Sequence, residues 1–303
     1  METRILVPLD GSPLAEQALS CAVTLGRGLP AQLVLFRAVS IPSDARKRLD
    51  DAVLEKGDLM ARFDAEADDY LRGVAEGVRL AGLSVQRVVQ HGPAAEAIVD
   101  YAEQMDIRQI VMATHGYGGL KRWTHGSVAE RVLQAASVPV LMVRAQEKES
   151  IDSRQLMLCR RILVPLDGSE MAEQVLSPVT SVAQAVGAEV LLFRVPVDLR
   201  PSMFGSDWFF LPVEGEFEAD ERGAQAYLER VAGPLRDEGI QVSTATEMGP
   251  VAESIIECAE ANHIDLIAMC THGRTGLARW ALGSVADRVL RAGGVPVLLV
   301  RAR

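Results

Sequence analysis

Short apolar runs alternate along this chain with longer stretches in which apolar residues return every three or four positions. RILVPL (4–9), QLVLFRAV (32–39), SVQRVVQ (84–90), QIVMAT (109–114) and VPVLMVR (138–144) are runs of strand length. Between them PLAEQALSCAVTLGRGL from Pro13, a long stretch near 58–81, AAEAIVDYAEQM from Ala94 and SVAERVLQAA from Ser127 carry helical spacing. Five strands separated by four helices predict a parallel sheet covered on both faces, because parallel neighbours need helical crossovers. The fold class is α/β.

The same order is then written again. RILVPLDGS at 4–12 returns at 161–169, HGPAAEAI at 91–98 answers MGPVAESI at 248–255, and THGYGGLKRW at 114–123 answers THGRTGLARW at 271–280. The offset is a constant 157 from Arg4 to Arg161, so a complete domain is duplicated. The polar stretch AQEKESIDSRQ (145–155) suits a connection, and the expected units are a first domain over 1–145, a linker over 146–159 and a second domain over 160–303. The last strands, VPVLMVR and VPVLLVR, would each leave an apolar edge unpaired. They are expected to meet about a pseudo-twofold axis within the chain, with further association into a homodimer.

Composition narrows the classes of function. With 31 basic and 41 acidic residues the net charge is -10, which opposes nucleic-acid and anionic-membrane partners. No apolar stretch approaches the ~20 residues of a membrane span, and METRILVPLDGS enters a strand directly, so a cytoplasmic protein is expected. Cys21, Cys159, Cys258 and Cys270 show no metal-ligand spacing and are expected to be reduced and buried; no metal site is expected.

In open α/β sheets ligands bind beyond the carboxyl ends of the strands, where the winding direction reverses. That selects the loops after the first and fourth strands. Asp10 and Asp167 stand in Asp-Gly-Ser loops, where a carboxylate either accepts from a ribose hydroxyl or adenine amino group or closes a local turn; Ser12 reads as a helix cap before Pro13. After the fourth strand, Ala113-Thr-His-Gly116 is followed nine residues later by Gly126-Ser127, and Cys270-Thr-His-Gly273 by Gly283-Ser284. Glycines let backbone approach a ligand, and the helix start favours phosphate. Ser127 with Glu130, and Ser284 with Asp287, also have capping-box spacing.

These motifs, over nearly the whole chain, resemble the universal stress protein family in a tandem form. The resemblance implies two Rossmann-like domains of the adenine nucleotide alpha hydrolase type and binding of ATP, with magnesium as its companion ion. Its Gly-x2-Gly-x9-Gly-Ser/Thr motif falls on Ala113, Gly116, Gly126 and Ser127, and on Cys270, Gly273, Gly283 and Ser284, followed by Val128 and Val285. The resemblance further implies that Asp10 and Asp167 contact nucleotide and that backbone at Ala38 and Val195 meets adenine. Both copies lack the first glycine, and the thiol of Cys270 is the larger departure, so the first site is expected to bind at least as tightly as the second. The implied function is regulation of a stress response through an unknown protein partner, with at most slow ATP turnover. The alternative is a nucleotide-free dimerisation or chaperone-like scaffold.

Other residues carry less. His115 and His272 recur without a repeated nucleophile and read as loop-shaping; His125 is matched by Leu282, and His91 by Met248. Arg122-Trp123 and Arg279-Trp280 read equally as phosphate contacts or as arginines lying over rings. Asp207 to Pro212, with its Trp and two Phe, has no counterpart in the first copy. No GxxxxGK[ST] loop is present, which argues against a vigorous kinase.

Overall fold

The computed structural model describes residues 3–40, 53–114, 127–144, 159–196, 214–271 and 282–302. In the first copy the elements run β1 (Thr3–Pro8), α1 (Pro13–Glu16), α2 (Ala18–Gly28), β2 (Ala31–Val39), α3 (Val53–Leu80), β3 (Ser84–His91), α4 (Ala94–Gln104), β4 (Gln109–Ala113), α5 (Ser127–Ala135) and β5 (Val140–Val143). The second copy repeats them as β6 (Arg161–Pro165), α6 (Glu170–Glu173), α7 (Leu176–Val186), β7 (Glu189–Arg194), α8 (Glu214–Asp237), β8 (Val242–Thr246), α9 (Val251–Ala261), β9 (Leu266–Cys270), α10 (Ser284–Ala292) and β10 (Val297–Val300). The single helix expected from Pro13 is divided at Gln17, whose N–H bonds to Leu14 rather than a full turn back. None of the described helices is long and apolar enough to cross a membrane.

The ten strands among the described residues form one sheet in the order β3-β2-β1-β4-β5-β10-β9-β6-β7-β8. Pairing is parallel within each copy and antiparallel at the seam between β5 and β10. The seam register is Val140 to Leu299, Leu141 to Leu298 and Met142 to Val297. Leu141 therefore faces its own repeat counterpart, and the pseudo-twofold axis passes between these two leucines. The expected meeting of the last strands is what the chain adopts. It removes both apolar edges and leaves β3 and β8 outermost.

Side chains alternate across this seam. Leu141 and Leu298 enter the apolar layer beneath α2, α3, α7 and α8, whereas Val140, Met142, Val297 and Leu299 enter the layer beneath α4, α5, α9 and α10. Each layer runs through both copies, so the core is shared across the duplication. Two further contacts close the seam. Helix α2 packs on α7, and Gly28 crosses so near the partner helix that a Cβ there would lie 2.7 Å from the Ala185 carbonyl carbon. On the opposite face Arg144 Nη1 donates to Gly293 O at 2.8 Å and Arg301 Nη1 to Ala135 O at 3.3 Å. Each arginine thus satisfies carbonyls at the end of the other copy's helix.

The four cysteines are free thiols and buried, as expected. Burial pushes Cys21, Cys159 and Cys270 up to about 12 and Cys258 up to about 11. The sign of the consequence follows from linkage. Between the ordinary value near 9.0 and these raised values, the unfolded chain releases thiol protons that the folded chain retains. Stability from this source is whole below pH 9 and declines as pH rises, by about 1.4 kcal/mol per unit per thiol. Urea midpoints are expected to hold steady to pH 8.5 and fall towards pH 10.5, with a shallower fall in Cys21→Ala; a slope unchanged by that substitution counts against the thiols as its source.

Candidate functional site

The reversal of strand order lies where β1 sits between β2 and β4, and where β6 sits between β7 and β9. Register carries the strand ends to a common level. Pro8 pairs with Phe36 and Leu6 with Ile110, so Asp10, Ala38 and Thr114 fall in one row at the carboxyl edge of the sheet, with Ala38 still paired to β3. Pro165 pairs with Phe193 and Leu163 with Ile267, which puts Asp167, Val195 and Thr271 in the corresponding row. Residues drawn from three separate segments of sequence are brought together twice, by the same pairing.

The first loop is built from its own side chains. Asp10 Oδ1 accepts from the Ser12 N–H at 2.9 Å and the Ser12 hydroxyl at 2.6 Å, while Ser12 Oγ accepts from the Ala15 N–H at 3.1 Å and so caps α1. Asp167, Ser169 and Ala172 repeat all three bonds. The turn and cap readings are both realised, and Asp10 remains exposed with Asp167 half-buried. Gly11 at φ +87° and Gly168 at φ +86° supply the left-handed residue that this tight turn requires.

At the second loop, Gly283 N donates to Thr271 O at 2.9 Å, tying the start of α10 to the end of β9. The capping-box expectation fails here. Gly283 is the N-cap, with no side-chain cap bond, Ser284 is the first helical residue, and Asp287 accepts from Arg291 Nε at 2.8 Å. Ser127 likewise opens α5 as a helical residue. Because the first intrahelical bond is made by the Asp287 N–H to Gly283 O, the N–H groups of Ser284, Val285 and Ala286 precede it and have no intrahelical acceptor. Val128 and Val285 pack half-buried on the layer below their helices.

Ala113 and Cys270, which stand at the first glycine of the motif, are 7% and 6% exposed. The Cys270 thiol donates to Ala172 O at 3.6 Å, towards α6. Its extra bulk is taken up by the core on that side, and the size argument for a tighter first site loses its basis. Gly116, Gly126 and Gly273, His115, His125 and His272, Arg122-Trp123, Arg279-Trp280 and the Asp207 to Pro212 segment lie outside the described residues.

One constellation escaped the sequence reading. Arg37 lies over the Tyr70 ring with its guanidinium carbon 4.9 Å from the centroid, and Tyr70 donates its hydroxyl to Glu16 Oε1 at 2.9 Å. A Cβ on Gly11 would lie 3.3 Å from Arg37 Nη1, so this cluster abuts the Asp10 loop. Burial, with Glu16 beside it, holds the Tyr70 phenol well above its ordinary range. In the second copy Arg194 lies 4.8 Å over Tyr227. The available signal was the recurrence of Glu16/Glu173, Arg37/Arg194 and Tyr70/Tyr227 at the repeat offset, on a short helix, a strand and a long helix.

The model of the universal stress protein family matches residues 1–144 and again 159–301. The chain belongs to the universal stress protein family. It is 29% identical to a universal stress protein of Mycolicibacterium smegmatis over 224 residues, 73% of this chain and 70% of that protein. A universal stress protein of Methanocaldococcus jannaschii is 36% identical over 149 residues, 48% of this chain and 83% of its own length. Among solved structures, a universal stress protein from Archaeoglobus fulgidus superposes with a TM-score of 0.70 at 22% identity, covering 99% of this chain and 96% of that one. A putative universal stress protein from Pseudomonas aeruginosa gives a TM-score of 0.65 at 18% identity, covering 99% and 94%. These two likenesses establish the fold, a tandem pair of universal stress protein domains.

Proposed function

We propose that this universal stress protein binds ATP at each strand-end row and that occupancy, with at most slow turnover, regulates its contacts in a stress response. The observation that carries this reading is the convergence of Asp10, Ala38 and Thr114, and of Asp167, Val195 and Thr271, at the point of strand reversal. Two observations support the fit: Ala113 and Cys270 are buried in the core, and the Gly283–Thr271 bond ties the start of α10, with the N–H groups of Ser284 and Val285, to the end of β9. Asp10 and Asp167 would accept from ribose or adenine, the backbone at Ala38 and Val195 would meet the adenine edge, and the starts of α5 and α10 would hold phosphate. Gly116, Gly126 and Ser127, with Gly273, Gly283 and Ser284, complete the two glycine loops in this reading. Bound ATP supplies a polyanion whose presence changes surface charge. Magnesium enters as its counter-ion.

The units of this reading are 1–145 and 160–303 with a linker over 146–159, in a cytoplasmic protein that pairs with a second copy and contacts a protein partner. The nucleotide-free scaffold remains the competing reading, favoured by the engagement of Asp10 Oδ1 with Ser12. Equilibrium dialysis decides between them. Two ATP per chain are expected in the wild type, with stabilisation of about 2.7 kcal/mol per occupied site at a hundredfold excess over Kd. Gly283→Val should retain one ATP and an unchanged circular dichroism spectrum. No retained nucleotide in the wild type supports the scaffold.

A further inference from the structure

Helices α3 and α8 differ at several charged positions, and one of them, Arg230, lies against the tyrosine beside the second row. In the second copy Arg230, on α8, sits over the Tyr227 ring at 5.1 Å and pairs with Glu173 at 3.8 Å. Its counterpart in the first copy is Gly73, where an added Cβ would meet nothing within 4 Å. The consequence reaches the phenols. Tyr70 donates to Glu16 at 2.9 Å, whereas the buried Tyr227 hydroxyl has no partner in good hydrogen-bond geometry although Glu173 lies beside it and, after burial, is the main influence raising its pKa. Asp167 lies close enough to act on the same phenol, so Arg230, Arg194, Glu173 and Asp167 share one patch at the rim of the second row.

Around the two phenols the charges differ: Asp10, Glu16 and Arg37 leave one negative charge in excess beside Tyr70, while Asp167, Glu173, Arg194 and Arg230 balance beside Tyr227. Arg230 is 67% exposed, so its field acts through solvent and is weakened by salt, though a ligand carrying several negative charges multiplies it. The Cys270 thiol, directed at α6, does not offset this difference.

We propose that Arg230 makes the second site the tighter and more charge-selective of the two, favouring polyphosphorylated over uncharged adenine ligands, and that Gly73 leaves the first site weaker. This rests on the nucleotide-binding reading above. The difference in ATP affinity is expected to be about fivefold at low salt and to shrink as salt is added. Neither residue touches the rows themselves, and Gly73 has open space, so exchanging them leaves the fold intact.

The test is calorimetric titration of the full chain with ATP and with adenosine, for wild type, Arg230→Gly and Gly73→Arg. In the wild type ATP should resolve two classes of site about fivefold apart. Arg230→Gly should merge them at the weaker affinity and Gly73→Arg at the tighter one, with adenosine showing a single class throughout. Two ATP classes that survive both substitutions, one class in the wild type, or adenosine affinity moving in step with ATP each overturn the role of Arg230 while leaving nucleotide binding in place. Absence of any binding in the wild type overturns the nucleotide reading itself.

Discussion

Leu298→Asp is expected to abolish the folded state of both domains together. Leu298 is 1% exposed, pairs with Leu141 at the pseudo-twofold and faces the layer that runs beneath helices of both copies. Removing its side chain from the core forfeits about 1.5–3 kcal/mol of burial, and an unpaired carboxylate at that depth costs several kcal/mol more. The sum is comparable with the ~5–15 kcal/mol that holds a whole domain. Urea unfolding followed by circular dichroism should show no cooperative transition for Leu298→Asp, whereas Leu298→Met, which preserves volume, should lie within about 1.5 kcal/mol of wild type. A Leu298→Asp protein that retains half its transition, with one copy melting at the wild-type midpoint, would show the two cores to be separable.

The second large effect is expected at Gly28, where two opposing terms can be told apart by sign. Helix propensity favours replacing a helical glycine with alanine by up to ~1 kcal/mol. The crossing of α2 on α7 opposes it, because the new Cβ would meet backbone atoms of Ala185, which cannot swing away like the end of a long side chain. Overpacking of this kind costs about 1–3 kcal/mol. Gly28→Ala should therefore be less stable than wild type, and Gly28→Val less stable again. A more stable Gly28→Ala would mean that the helices separate freely at this point.

The sequence made the architecture readable because duplication supplies its own control. A run such as RILVPL is ambiguous alone, but its return 157 residues later, at Arg161, with the same neighbours fixes the element order. The seam was legible from the apolar last strands, since edges of that kind must be covered. What sequence left open was register and direction. Ser127 and Ser284 had capping-box spacing, yet the chain caps α10 with Gly283 because that residue is held to Thr271 by the loop's closure. Cys270 is the larger departure from the motif, but its thiol points at α6. The Arg37–Tyr70–Glu16 cluster joins residues from β2, α3 and α1, a proximity that only the packing of α3 on the sheet creates.

The seam also sets a timetable. β5 ends at Val143, but its partner β10 begins only at Val297, nearly at the chain's end. At ~5–20 residues per second, synthesis of the intervening stretch takes on the order of ten to thirty seconds. Throughout that interval the first domain can be complete except for the open, apolar edge of β5. The pairing centred on Leu141 is symmetric, so two nascent first domains emerging side by side from one message meet the same geometry in each other. The axis that closes the finished molecule is also the one by which two unfinished copies would join, and the speed with which the second half is made decides which partner β5 finds first.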